Sequence, residues 1–121
     1  MILADTSVWI EFLRRAPPRA DLREALEAGE VATHPFVIGE LALGSLGRRR
    51  AGILADLRLL PGLPVLGDED VLSFVDARGL AGRGIGWVDV HLLASALLAG
   101  ARLWTLDARL ARVAVSLGVA R

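Results

Sequence analysis

The chain contains no cysteine. That excludes a disulfide framework, a thiolate zinc site and a cysteine nucleophile. Lysine, tyrosine, asparagine and glutamine are missing as well, so all 14 basic residues are arginine. Without lysine there is no phosphate-binding lysine of the Walker type and no Schiff base, and without tyrosine no phenolic acid. Two isolated histidines, His34 and His91, cannot build a histidine-rich metal site. An excess of either charge is lacking too, because 14 acidic residues balance the arginines. Zero net charge argues against a protein that coats nucleic acid or membrane with a generally basic surface. Long apolar runs are absent. The best candidate, Val90 to Ala101, falls short of the roughly 20 residues a span needs. Met1 to Asp5 has no basic leader and carries an acid, so no signal peptide is expected and a cytoplasmic location is.

What remains is 121 residues, 54 % of them hydrophobic. That suffices for a single domain over 1–121 with a full core, and excludes intrinsic disorder. No repeat, linker or low-complexity tract divides it. Short apolar runs at Ile2 to Ala4, Val31 to Thr33, Pro64 to Leu66 and Arg102 to Thr105 predict strands. Helical spacing predicts helices over Val8 to Arg14, broken by Pro17-Pro18, and over Asp21 to Ala28, closed by Gly29. Further helices are predicted from Pro35 to about Leu46, Arg48 to Leu60, Asp68 (as cap) to about Arg78, Trp87 to Ala99, and Ala108 to Leu117. A glycine loop, Gly79 to Gly86, precedes the sixth. Strands alternating with helices predict an α/β fold whose mostly parallel sheet is covered on both faces. Ligands of such sheets sit at the carboxyl ends of the strands.

Four acids stand out by position. Asp5 follows the first strand and Asp107 the last. Glu40 and Asp89 fall on helices that are apolar almost all round, which predicts buried faces. Each alone also reads as a helix cap or first-turn acid. Together they are harder to explain, because a buried carboxylate without a partner costs several kcal/mol, about the worth of a strong ion pair. A hard divalent cation, Mg²⁺ or Mn²⁺, takes oxygen ligands and needs only one or two carboxylates directly. Such a site suits phosphodiester hydrolysis. Thr6, Ser7 and Thr105 flank Asp5 and Asp107 and are placed to orient carboxylates or a water from behind. Asp21, Glu24, Glu27, Asp68, Glu69 and Asp70 read as solvated or first-turn acids.

Ile2-Leu3-Ala4-Asp5-Thr6-Ser7-Val8-Trp9-Ile10 resembles the opening motif of PIN-domain ribonucleases. His34-Pro35-Phe36-Val37-Ile38-Gly39-Glu40-Leu41 resembles the second motif, and Gly84 to Ser95, containing Asp89, the third. Leu103-Trp104-Thr105-Leu106-Asp107 is similar to the fourth, with Leu106 where Arg often precedes the aspartate. The four blocks span nearly the whole chain in order, and look most like the VapC toxins of toxin–antitoxin pairs. The resemblance implies a three-layer α/β/α PIN-like fold and a Mg²⁺- or Mn²⁺-dependent endoribonuclease. It further implies a homodimer, an RNA substrate and inhibition by a cognate VapB-type antitoxin. Asp5, Glu40, Asp89 and Asp107 match the family's acidic quartet one by one. Asp5, Asp89 and Asp107 are then metal ligands, with Glu40 acting through water or a second ion.

Arg83, in the glycine loop, and the run Arg48, Arg49, Arg50 are the candidates for RNA phosphates. The run equally reads as a solvated helix start. His91 is expected to hydrogen-bond Ser95, four residues on. Trp9, Trp87 and Trp104 are expected in the core or an interface. Three other readings compete. A receiver-type phosphoacceptor has the right size but needs a lysine. A haloacid-dehalogenase-like phosphatase needs Asp-x-Asp, where Asp5-Thr6-Ser7 stands here. A non-catalytic PIN-like binding module for RNA or protein would have little use for four acids.

Overall fold

The computed structural model describes residues 1–15 and 18–121, so the helix break expected at Pro17 lies outside the described residues. Three short strands, β1 (Ile2–Ala4), β2 (Val31–Ala32) and β3 (Arg102–Trp104), form a sheet of order β2-β1-β3. Both pairings are parallel, with Ile2 opposite Val31 and Arg102, and Leu3 opposite Ala32 and Leu103. Parallel neighbours need long crossovers, and helices supply them. They are α1 (Thr6–Arg14), α2 (Ala20–Glu27), α3 (Pro35–Leu43), α4 (Arg50–Leu59), α5 (Asp68–Arg78), α6 (Trp87–Ala99) and α7 (Ala108–Ser116). The expected α/β class with a short parallel sheet holds.

The core explains why these segments stay put. Leu3, Ala4 and Leu103 of the strands are buried against Val8, Leu22, Val37, Leu92, Leu93 and Leu110. From Val90 to Ala96 every residue of α6 is buried. This meets the expectation for an all-round apolar helix, although Trp87 and Leu98 at its ends remain exposed. Trp9 and Trp104 lie in the core, whereas Trp87 stands at the surface with its ring edge-on to His91.

The expected strand at Pro64 to Leu66 is not one. Backbone pairing beside β2 is made three residues earlier, where Thr33 N–H donates to Pro61 and Leu63 N–H to Thr33 (2.7 and 2.8 Å). Pro64 has no N–H to give, and its carbonyl accepts the Ser95 hydroxyl instead, at 2.7 Å. Helix α3 stops at Leu43 rather than Leu46, because Gly44 leaves the helical region (ψ −179°). A 3-10 turn over Gly47–Arg49 then precedes α4, so the helix expected from Arg48 begins at Arg50. Gly67, not Asp68, is the N-cap of α5.

Candidate active site

The site begins at the carboxyl end of β1. Asp5 leaves the strand with its N–H donated to the Trp104 carbonyl of β3, at 2.9 Å. Its Oδ1 caps α1 by accepting the Val8 N–H at 3.2 Å, and also accepts the Ser7 hydroxyl. Ser7 Oγ in turn accepts the Leu106 N–H at 3.0 Å. One hydroxyl thus ties the start of α1 to the turn that carries Asp107. Thr6 reaches the other way and donates to Glu40 Oε1 at 2.7 Å. Thr105 Oγ1 accepts the Asp107 N–H at 3.0 Å. All three expected hydroxyls therefore touch the acid cluster or its backbone.

Asp107 caps α7, its Oδ1 accepting the N–H groups of Arg109 and Leu110 at 2.8 and 3.1 Å. Asp89, in the first turn of α6, accepts the Gly86 N–H on Oδ2 at 3.0 Å. The capping and cluster readings of these acids are compatible. A cap fixes one oxygen of each carboxylate and so aims the other.

Burial differs from expectation. Asp5 is buried, at 5 % exposure, and Asp89 is partly buried. Glu40 and Asp107 are exposed. Glu40 was expected in a buried stripe because α3 is apolar on most sides, but that helix keeps Pro35, Gly39, Glu40 and Leu43 outside. Periodicity cannot choose the outward face of a helix apolar all round. Burial pushes the Asp89 carboxyl above its ordinary range, opposed by its bond from Gly86. The charges of Asp5, Asp107 and Glu40 push it further up. The four acids are thus near enough for their charges to act on one side chain.

Among the described residues, none of the four has a basic side chain within 4 Å. Nor, among those residues, do three acid or histidine side chains close around a point as a preformed metal cage. The donor set nevertheless fits a hard cation. It offers carboxylate oxygens alone, one of them buried without a cationic partner. Mg²⁺ needs only one or two such ligands and completes its shell with water.

The arginines sort differently from expectation. Arg83 is exposed in the glycine loop. Arg50 donates from Nη2 to the Ala42 carbonyl at 2.9 Å and so serves the end of α3. Arg48 and Arg49 lie in the exposed 3-10 turn. Two other arginines escaped the sequence reading because neither belongs to a motif block or to the run Arg48 to Arg50. Arg14 shares a pocket with Glu40 and Arg49. Arg109 lies across Gly84, with Cδ 3.0 Å and Nη1 3.2 Å from where a Cβ would stand. Gly84 has φ +77°, which L side chains rarely adopt. Gly84→Ala is expected to cost about 1–2 kcal/mol of stability, the lower figure from backbone alone. Adding Arg109→Ala should return part of that loss by removing the clash. Strict additivity in a denaturant double-mutant cycle would refute the contact.

The hydrogen bond expected between His91 and Ser95 is not formed. Ser95 Oγ instead lies 3.2 Å from His34 Nε2. Both ring nitrogens of His91 are buried without a hydrogen-bond partner among the described residues. Its ring packs edge-on against Phe36 and Trp87, each 4.7 Å away between centroids.

Comparison with known proteins identifies the family. The PIN domain family model matches residues 2–116. The chain is 51 % identical over 121 residues to ribonuclease VapC32 of Mycobacterium tuberculosis, in strain CDC 1551 / Oshkosh and in strain ATCC 25618 / H37Rv. The alignment covers 99 % of this chain and 95 % of that protein. PAE2754 from Pyrobaculum aerophilum has a similar crystal structure, with TM-score 0.64 at 17 % identity over 97 % of this chain and 94 % of that one. This last likeness concerns the fold. With the family model and a half-identical relative both spanning nearly its whole length, the chain belongs to the PIN-domain family and, within it, to the VapC-type ribonucleases.

Proposed function

We propose that the chain is a metal-dependent endoribonuclease, the toxin of a VapBC pair, with Asp5, Glu40, Asp89 and Asp107 as its acidic site. One observation carries this. Three acids from separate elements act on Asp89 with their charge, and among the described residues no basic side chain answers any of the four. Such a cluster is explained by a cation. Asp5, Asp89 and Asp107 would hold Mg²⁺ or Mn²⁺, and Glu40 would act through water or a second ion. Bound there, the ion supplies Lewis acidity for phosphodiester hydrolysis.

The chain's own residues provide the aim. Ser7 and the Val8 N–H fix Asp5, Thr6 fixes Glu40, and the Gly86 N–H fixes Asp89. Ser7 also holds the Leu106 turn, so one hydroxyl links Asp5 to the turn that carries Asp107. Among the described residues no helix is long and apolar enough to cross a membrane, which suits the proposed cytoplasmic site of action. Exposed Leu43, Leu98 and Val115 leave apolar surface for association. A homodimer and a VapB-type antitoxin are its proposed partners, the second supported by the name of the half-identical relative.

The test is cleavage of total RNA by antitoxin-free protein. EDTA should abolish it, and Mg²⁺ or Mn²⁺ should restore it. Attack by water leaves 5′-phosphate and 3′-hydroxyl ends. Undiminished cleavage in EDTA would sink the metal, and cyclic 2′,3′-phosphate ends would assign the attack to the ribose hydroxyl.

A further inference from the structure

Between α1 and the corner joining α3 to α4 the surface folds into a pocket. Ile10, Leu41 and Ile53 give it an apolar lining. Two arginines also line it, Arg14 from the last turn of α1 and Arg49 from the 3-10 turn. Among the described residues neither has a carboxylate within 4 Å. Glu40 forms part of the wall. The same carboxylate takes the hydroxyl of Thr6, the residue next to Asp5. Pocket and acid cluster therefore share a side chain.

We propose that this pocket is the subsite for the nucleotide next to the cleaved phosphodiester of an RNA strand. The base lies on the apolar lining, and Arg14 and Arg49 hold its phosphate. The inference rests on the reading of the chain as a ribonuclease.

Charge selects this occupant. A nucleotide combines a flat π-face with an anion, and the pocket combines an apolar lining with two guanidinium groups. The chain has zero net charge, so phosphates are not drawn to a generally basic surface and need local cations. Arg50 is committed to the Ala42 carbonyl. Arg48 is exposed beside the pocket without lining it.

The experiment measures initial cleavage rates of short single-stranded RNAs of mixed sequence by the full chain with Mg²⁺, over a range of salt. KM, kcat and the bases flanking each cut are recorded. Arg14→Ala and Arg49→Ala should each raise KM about tenfold, with kcat changed less than about twofold. Each should also flatten the log–log salt dependence of KM by about 0.7, the share of one single-strand phosphate contact. Ser45→Phe narrows the pocket from an exposed wall position without changing charge. It should raise KM and alter which bases flank the cut. Arg78→Ala removes the same charge from the exposed last turn of α5, outside the pocket, and should leave KM within about twofold.

Equal effects of Arg78→Ala and Arg49→Ala would reduce the pocket to general charge attraction and overturn the proposal. So would an unchanged KM in the Arg14, Arg49 and Ser45 variants. Weaker inhibition of those variants by a partner protein, with KM for RNA unaltered, would assign the pocket to that protein instead. If the wild-type chain cleaves but the variants match it, only the subsite falls. A wild-type chain that neither binds nor cleaves RNA overturns the ribonuclease reading, and the subsite with it.

Discussion

Asp5→Asn and Asp89→Asn are each expected to lower RNA cleavage on the order of a thousandfold, the scale of losing a preorganised charged group at a reacting centre. The folded chain should survive both changes. Asn caps a helix about as well as Asp, and in Asp5→Asn the amide oxygen can still accept the Val8 N–H that Asp5 accepts at 3.2 Å. Asp89→Asn removes one charge from a group in which Asp5, Asp107 and Glu40 all act on Asp89. The metal-free melting temperature of that variant should therefore stay level or rise. Mg²⁺ should stabilise the wild-type chain by linkage, about 2.7 kcal/mol at a hundredfold excess over the dissociation constant. That gain should shrink in both variants. Asp68→Asn supplies the control, since Asp68 is exposed in the first turn of α5. Cleavage and melting curves with and without Mg²⁺ decide the matter. Full activity in the Asp5 and Asp89 variants, or equal loss at Asp68, would remove the acids from the chemistry.

The second large effect is acid sensitivity centred on His34. Its Nδ1 accepts the Phe36 N–H at 3.0 Å and so caps α3. The proton must then sit on Nε2, which donates to Ser95 Oγ, while Ser95 donates to the Pro64 carbonyl. Burial, helped by the charge of His91, lowers the His34 pKa to about 4. The unfolded chain takes up this proton near pH 6.5 and the folded chain only near 4. Stability on this account is constant above about pH 6.5 and falls as pH drops towards 4, by about 3 kcal/mol in all. Asp89 works in the opposite direction. Its raised carboxyl binds a proton more readily in the folded chain, which gains stability as pH falls. His34→Asn separates the two, because Asn keeps a capping acceptor without titrating in this range. Denaturant unfolding at about pH 7.5, 5.5 and 3.5, which brackets the two protonation steps, should show a flatter acid limb in that variant. Parallel loss in both proteins would clear His34 of the effect.

These contrasts show which parts of the molecule are legible in the residues. Strands β1 and β3 and helix α6 are short-range facts, fixed by an apolar run ending at Asp5 or Thr105 and by glycines on either side of Trp87–Ala99. Strand ends mark two of the four acids, Asp5 and Asp107, and the motif blocks carry all four. Pro64 to Leu66 misled because an apolar triplet does not say whether its N–H groups find a neighbour. The partner of Thr33 is a matter of tertiary register, and Pro61 and Leu63 take it. Ser95 misled for a similar reason. Helical spacing offers it His91, but His34, 61 residues earlier, arrives on the other side. Arg14, which has only Arg15 beside it, and Arg109 lie outside the motif blocks, and only folding sets one in a pocket with Glu40 and the other across Gly84.

The placing of β1 between β2 and β3 also bears on how the protein is made. Ile2 pairs on one side with Val31 and on the other with Arg102. A chain growing from its N-terminus therefore carries a central strand with one flank open until Arg102–Trp104 has been synthesised. The loop to be closed is long, and such contacts form late. Asp107 comes three residues after that strand, and the hydroxyl of Ser7 can hold the Leu106 turn only then. For most of its synthesis the nascent chain thus owns Asp5 and Glu40 without the acids that complete their cluster. If the four acids act together on RNA, a chain still tethered to the RNA-built machine that makes it lacks the last of them until nearly all of it has been made.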